Sequence, residues 1–397
     1  MCTHLVLENP PGSFRVLTGA GMDYHLLCRE CVDADVPLIE VCEGCAGNAG
    51  EAGDMLGWRG EPEIRLRDRE TGGSWLTWDC PVQPVNDRCL APLQGNGWLA
   101  FTADGLVEID DVGEHRAPTP VELPEEPPNE WAGHVRGPAL HTSADGSLVA
   151  VVTDYGRHGT VLRRESGEVV LDLDRQGYED ETTPFPFAFV GSGPETVIIA
   201  ATDWNRLDAF DATGRLLTDR VTSRDDVPEH HLDYFHGALT PSPSGRQLFV
   251  DGWVWHPAGV PMVVDAGAWL AGDVHAAEHG VELSQREYAW DQPVAWLDED
   301  TVAVQRIGDD DEHMIDGVKL YDLHGASPGM FAGPSGPMWA HDGLLYVAAE
   351  GGFEIWDPAE GARIGLIEGF APTAHDPEKR TFAELGNGQL RIWTSTR

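Results

Sequence analysis

The chain has 397 residues, with 67 acidic side chains against 26 lysines and arginines, a formal net charge of −41. Binding along nucleic acid needs basic surface to displace phosphate counterions, so this balance argues against it, and equally against docking on an anionic membrane. Lysine occurs only at Lys319 and Lys379, a bias of coding or salt adaptation that says nothing of function. No apolar run reaches membrane-span length, and the opening MCTHLVLENPPG lacks a charged-then-apolar signal pattern, so a cytoplasmic address is expected.

The first informative stretch holds four of the seven cysteines, as CREC at 28–31 and CEGC at 42–45. Two CxxC pairs suit one tetrahedral ion, because each pair can wrap a tight knuckle with both thiolates on the same centre. Four sulfurs leave no open coordination position, so the expected role is structural Zn2+, held by Cys28, Cys31, Cys42 and Cys45. A redox or iron site is the alternative; disulfides fit poorly with a chain that carries no export signal. The segment 20–50 resembles a zinc ribbon, although the ten residues between the pairs are fewer than usual. Cys80 and Cys89 lie outside it and are expected to be buried thiols. The Gly/Ala-rich residues 46–61 read as a linker.

From about residue 85 a module recurs: a strand, a small polar turn, then an apolar strand. Copies are LHTSADGSLVAVVT (140–153), FVGSGPETVIIAAT (189–202), LTPSPSGRQLFVDG (239–252), AWLDEDTVAVQR (295–306), MWAHDGLLYVAA (338–349) and PTAHDPEKRTFAEL (372–385), with LQGNGWLAFTA (93–103) a degraded first copy. The aligned turns fall at Asn96, Asp145, Pro194, Ser244, Glu299, Asp342 and Pro377, about 35 to 55 residues apart. A second hairpin follows most copies: 160–173, 206–219, 261–272, 318–325 and 353–369. Four short strands per unit make a sheet that cannot bury both faces alone, so a ring of such units is expected. The proline-rich stretch 116–130 is read as an exposed loop, and residues 272–287 as an insertion able to hold a short helix.

These units resemble WD40 repeats over residues 85–397. Trp356–Asp357 stands where that family places its dipeptide, Phe210–Asp211 and Tyr321–Asp322 are variants, and Gly133–His134 ahead of Ser143–Gly146 is similar to the opening half-repeat. Most units lack one half of the signature. The resemblance implies an all-β β-propeller, and the seven aligned turns imply seven blades. The seventh unit is one strand short, and an N-terminal segment is expected to supply it: SWLTWD (74–79) first, EIRLR (63–67) second. The expected organisation is a zinc-ribbon-like module over 1–50, a linker over 51–73 and the propeller over 74–397.

Candidate chemistry is sparse. The stretch EHHLDYFHG carries His230, His231 and His236 into an expected inner strand, where loops gather at a channel mouth; His134 and His141 could join them there. Against a site stands the lack of the i,i+4 spacing that aims two ligands at one ion. Asp309–Glu312 reads as a solvated hairpin tip, and the recurrent tryptophans, Trp253 and Trp255 among them, as packing between sheets. No nucleophile elbow, zincin helix, phosphate loop or dinucleotide fingerprint is present. The expected function is a non-catalytic scaffold that recruits a protein partner bearing a basic patch. The competing expectation is a hydrolase or lyase with a metal or histidine site at the channel mouth.

Overall fold

The computed structural model describes residues 15–18, 23–26, 63–95, 97–129, 134–324 and 329–396. The chain divides into two compact units, residues 1–63 and 64–397. In the first, β1 (Arg15–Thr18) and β2 (Asp23–Leu26) form an antiparallel hairpin. The four cysteines of the expected metal module lie outside the described residues, as does the turn residue Asn96.

The second unit is built almost wholly of antiparallel sheets. It opens with β3 (Arg65–Leu66) and β4 (Gly73–Asp79), which pair far away in the sequence. Sheet one is β5 (Leu90–Pro92), β6 (Trp98–Thr102) and β7 (Gly105–Ile109). Sheet two is β8 (Gly137–Thr142), β9 (Leu148–Asp154), β10 (His158–Arg163) and β11 (Val169–Asp174). Sheet three is β12 (Phe187–Val190), β13 (Val197–Asp203) and β14 (Arg206–Asp211). Sheet four runs β15 (Leu239–Pro241), β16 (Gln247–Val250), then past an inserted β17 (Trp253–Val254) and β18 (Ala258–Gly259) to β19 (Met262–Asp265) and β20 (Val281–Glu282); β17 pairs instead with β18, and β18 with β21 (Arg286–Glu287). Sheet five is β22 (Val294–Trp296), β23 (Thr301–Ile307), β24 (Ile315–Asp322) and β25 (Gly329–Ala332). Sheet six is β26 (Met338–His341), β27 (Leu344–Ala349), β28 (Gly352–Asp357) and β29 (Ala362–Glu368), with β3 parallel on its edge. Sheet seven is β30 (Ala374–Asp376), β31 (Thr381–Gly386) and β32 (Gln389–Ser395), completed by β4.

The aligned turns from Asp145 onward each fall between the first and second strands of a sheet. The second strands are long apolar runs because neighbouring sheets cover both their faces; β9 is buried at every position. Among the described residues, six of the seven hydrophobic clusters are each shared by two sheets consecutive in the chain. Sheets one and two share Leu99, Phe101, Val149 and Val151; two and three share Val152, Val161, Phe187 and Ile198; three and four share Ile199, Leu207, Leu248 and Val264. The sequence of interfaces continues through Phe249 with Trp296, Val318 with Leu345, and Tyr346 with Phe382. The last cluster joins sheet seven back to sheet one, setting Ala383, Leu390 and Ile392 against Leu90, Trp98 and Ala100. Each fully buried Leu, Ile, Val or Phe here contributes about 1.5–3 kcal/mol.

The Trp-Asp position has a local cause. Asp357, Asp211 and Asp322 each end the third strand of a sheet, and each Oδ1 accepts backbone N–H bonds from the turn that follows: from Ala359, from Thr213 and from His324. Asp110 does the same after β7, accepting from Val112. In sheet four the same position, Asp265, instead accepts from Ala268 and caps α1 (Ala266–Leu270). The expected strand–turn–strand over 261–272 is therefore a strand and a short helix. That helix stands before 272–287, which holds only a 3-10 turn at Ala276–Glu278 and short strand pieces.

SWLTWD lies on the outer edge of β32, in register from Gly73 opposite Ser395 to Asp79 opposite Gln389. Gly73 is needed there, because a Cβ would stand 2.2 Å from the Trp393 indole nitrogen. EIRLR supplies β3 to sheet six. Replacing Leu76 and Thr77 together by proline should remove ladder bonds to β32 and lower stability by about 3 kcal/mol or more, seen as a drop in Tm. The corresponding double alanine variant should stay within about 1 kcal/mol of the parent; equal effects of the two pairs would show that the β4 ladder is not a structural requirement.

Candidate functional site

One cavity of about 350 Å³ is lined by residues of the first strands of six sheets, with Phe187, Phe189, Trp339 and Thr142 among its walls. His141 on β8 and His375 on β30 face it too. Burial lowers the His141 pKa to about 4. Burial, helped by the nearby His341 charge, lowers that of His375 to about 4. Both imidazoles are neutral at physiological pH, able to hydrogen-bond but not to attract an anion by charge.

The loops that enter the first strands and leave the second strands meet at one end of the sheets. There Tyr155, just after β9, donates its hydroxyl to Asp291, just before β22, a contact between sheets two and five. The His134 ring stacks on Tyr155 at 4.5 Å between centroids and 14° between planes. Arg88 lies over the other part of this group, 5.7 Å from the Tyr155 centroid, and donates to Asp154 at 2.8 Å. Asp154 also accepts the Phe185 backbone N–H at 2.9 Å, and Asp251 accepts that of Gln292 at 2.7 Å. Tyr155 and Asp291 both adopt left-handed φ angles, 55° and 58°, a strained choice for non-glycine residues that turns both side chains into this contact.

The electrostatics follow from burial. Asp251 is only 3% exposed, and burial together with the neighbouring Asp291 charge raises its pKa to about 7. Burial raises Asp154 to about 6, opposed by the Arg88 charge. Asp291 is raised by burial as well. The Tyr155 phenol is pushed well above its ordinary value by burial and by Asp291, so it stays protonated and serves as a donor. Among the described residues, this end of the sheets gathers buried carboxyls with raised pKa values around a protonated phenol.

The five histidines singled out in the sequence occupy separate settings. His134 is at the mouth and His141 in the cavity. His236 is 3% exposed against Tyr234, with its pKa lowered by burial to about 3. His230 stacks on His275 at 3.7 Å and lies 2.9 Å, Nδ1 to Nε2, from His279 of the insertion. His231 Nδ1 is 3.3 Å from the Thr222 carbonyl oxygen. Among the described residues no three His, Cys, Asp or Glu side chains are arranged to hold a metal ion. Sequence reasoning missed Arg88, Asp154, Tyr155, Asp251 and Asp291. A signal existed for two of them: VVTDYG, AATDW and LFVDG set an aspartate at the end of three successive second strands or one residue past it, at Asp154, Asp203 and Asp251. The tryptophans divide as well: Trp253, Trp356 and Trp393 are buried as expected, whereas Trp255 is 49% exposed because it sits in the β17–β18 turn rather than between sheets.

The raised carboxyls give a pH signature. The folded state keeps protons on Asp154 and Asp251 that the unfolded chain releases above the usual value of 3.8. Their favourable contribution is therefore complete below that value and is lost as pH rises through about 6 and about 7. The buried histidines oppose this only up to their unfolded value of 6.5. Asp251→Asn keeps an acceptor for Gln292 and removes the ionisation. Its Tm relative to the parent should rise by several degrees between about pH 5 and about pH 8; a constant difference across that range would show that Asp251 does not titrate in this way.

No family model matches the sequence, and no curated protein matches it. Solved structures do. A chain of the crystal structure of a mitotic checkpoint complex is 13% identical with a TM-score of 0.52, covering 86% of this chain and 97% of its own. Hydrazine synthase of Kuenenia stuttgartiensis is 12% identical with a TM-score of 0.52, covering 79% and 97%. The β-propeller domain of Cps50 (Swd1) from Myceliophteria thermophila is 13% identical with a TM-score of 0.46, covering 84% and 100%. At these identities the likeness is one of fold alone: the second unit has a β-propeller-like fold.

Proposed function

We propose that residues 64–397 form a closed seven-bladed ring that acts as a non-catalytic scaffold for a protein partner, and that the N-terminal CxxC pairs hold one structural Zn2+. The observation that supports closure is the apolar cluster joining sheet seven to sheet one, together with β4 on the edge of β32. A closed ring presents rigid loops around one face, which suits macromolecular recognition. The net charge of −41 favours a partner with a basic patch, steered by long-range attraction and weakened by salt. Structural Zn2+ rests on the four thiolates Cys28, Cys31, Cys42 and Cys45, with no open position for chemistry.

Two measurements test this. Affinity capture with the full chain should enrich a basic protein. The purified pair should lose about tenfold or more in affinity between about 50 and about 300 mM salt; a salt-independent complex would contradict the charge argument. Elemental analysis should find one zinc per chain, lost on Cys28→Ser and retained on His236→Ala. A second ion that disappears with His236→Ala would favour a metal hydrolase or lyase instead.

A further inference from the structure

The loops around sheets three and four and the inserted β17–β18–β21 sheet carry a run of aromatic side chains whose rings touch in sequence. Tyr178 meets Trp204 edge-on at 5.5 Å and Phe235 at 5.7 Å. Phe235 meets Trp204 at 4.6 Å, stacks on Trp253 at 4.2 Å and 11°, and meets Trp255 at 5.7 Å. Trp253 in turn stacks on Trp290 at 5.1 Å. The inner members are fixed: Phe235 and Trp253 are each 2% exposed, and the Trp253 indole donates to the Thr182 hydroxyl at 2.9 Å. The outer members are not covered: Tyr178 is 46% exposed and Trp255 49%. Tyr288, 64% exposed, stands next to Trp255's turn, its backbone N–H bonded to the Pro257 carbonyl at 2.9 Å.

Core packing explains the buried half of this group but not the exposed half. Large exposed aromatics anchored on rigid buried ones are costly on a surface that has nothing to recognise. Their surroundings are rich in carboxylates. Glu179, Asp180 and Glu181 follow Tyr178, Asp203 precedes Trp204, Asp233 lies two residues before Phe235, and Glu287 precedes Tyr288. The carboxyl of Glu179 is raised by partial burial and by the charges of Glu181 and Asp180, which is what crowded like charge does. Arg136 pairs with Asp180 at 3.2 Å. Arg175 is buried and donates to the carbonyls of Gly156, Pro184 and Thr183. Arg206 is held by Asp208 at 2.7 Å. Ring faces beside the carboxylates of Glu179, Glu181, Asp203, Asp233 and Glu287 attract a cation on a flexible stem: the quadrupole of each ring and the carboxylate charge act in the same direction.

We propose that the exposed aromatics Tyr178, Trp255 and Tyr288, with the carboxylates beside them, form a docking surface for an extended Lys/Arg-bearing peptide segment of a partner protein. The inference rests on the scaffold reading and deepens it, assigning the contact to the loop before sheet three and the inserted β17–β18–β21 sheet. Trp255 and Tyr178 supply flat faces for the cationic head and its methylene stem, and the acidic rim sets the sign. The rigid Phe235–Trp253 pair holds the faces in place, so little side-chain freedom is lost on binding.

The probe is a fluorescein-labelled dodecapeptide alternating Gly with Lys and Arg, with Gly/Gln and Gly/Glu peptides of the same length as controls, titrated into the full chain. The basic peptide should bind and should weaken as salt rises from about 50 to about 300 mM, while the two controls should not bind. Trp255→Ala and Tyr178→Ala should each weaken it about fivefold to tenfold, and Trp255→Phe should restore most of the loss. Both positions are about half exposed, so the variants should keep the parent's Tm, which is measured alongside. The proposal is overturned if the parent does not bind the basic peptide, if the Gln peptide binds as well, or if both alanine variants bind like the parent. Any of those results leaves the scaffold reading standing, because that reading is decided by the salt dependence of the captured partner.

Discussion

The need of every sheet for two apolar neighbours governs this fold. A lone four-stranded sheet leaves one face or both in water, and here each face is met by the next sheet in the chain. The interface between sheet seven and sheet one is the demanding case, because its halves come from opposite ends of the second unit: Ala383, Leu390 and Ile392 on one side, Leu90, Trp98 and Ala100 on the other. Without it, two apolar faces would be exposed at once. The β4 strand adds to the same requirement by pairing along the outer edge of β32, where an unpaired edge would invite association with other chains.

That arrangement decides where chemistry can sit. First strands converge on a cavity, so side chains of six sheets meet there although they are far apart in sequence. At the mouth, residues of sheets two and five reach each other through Tyr155 and Asp291. Burial then does the electrostatic work: it pushes Asp154 and Asp251 upward and His141, His236 and His375 downward, leaving most of these groups neutral near physiological pH. A charged group inside is paired: Arg220 is buried between Asp208 and Glu278. The rest of the acidic excess lies where it can act on approaching molecules.

The aromatic run around sheets three and four links these themes. Its buried members behave as the core does, and the insertion that carries Trp253, Trp255 and Tyr288 adds a small sheet of its own, β17–β18–β21, outside the regular strand order. Insertions into a repeat are free of the packing demands that fix the repeat itself. This one spends its length on displaying Trp255 in a turn and Tyr288 beside it.

By itself the sequence determined the spacing of the units, the turns between first and second strands, and the segment that completes sheet seven. These follow from local patterns: alternating strand runs, small polar turns, and an edge strand whose composition suits half-exposed pairing. It also determined the Asp positions at third-strand ends, because a side chain accepting from a backbone N–H two residues on is a short-range bond. Asp265 shows the limit. The same local bond begins α1 there rather than a turn, because the insertion that follows draws the chain away from the fourth strand. Only the tertiary structure decided that His134 belongs with Tyr155, that His230 goes to His275 and His279 instead, and that Asp251 and Asp291 share one buried environment. Those outcomes depend on which loops meet when sheets stack, and stacking sets distances between residues that no pattern along the chain encodes.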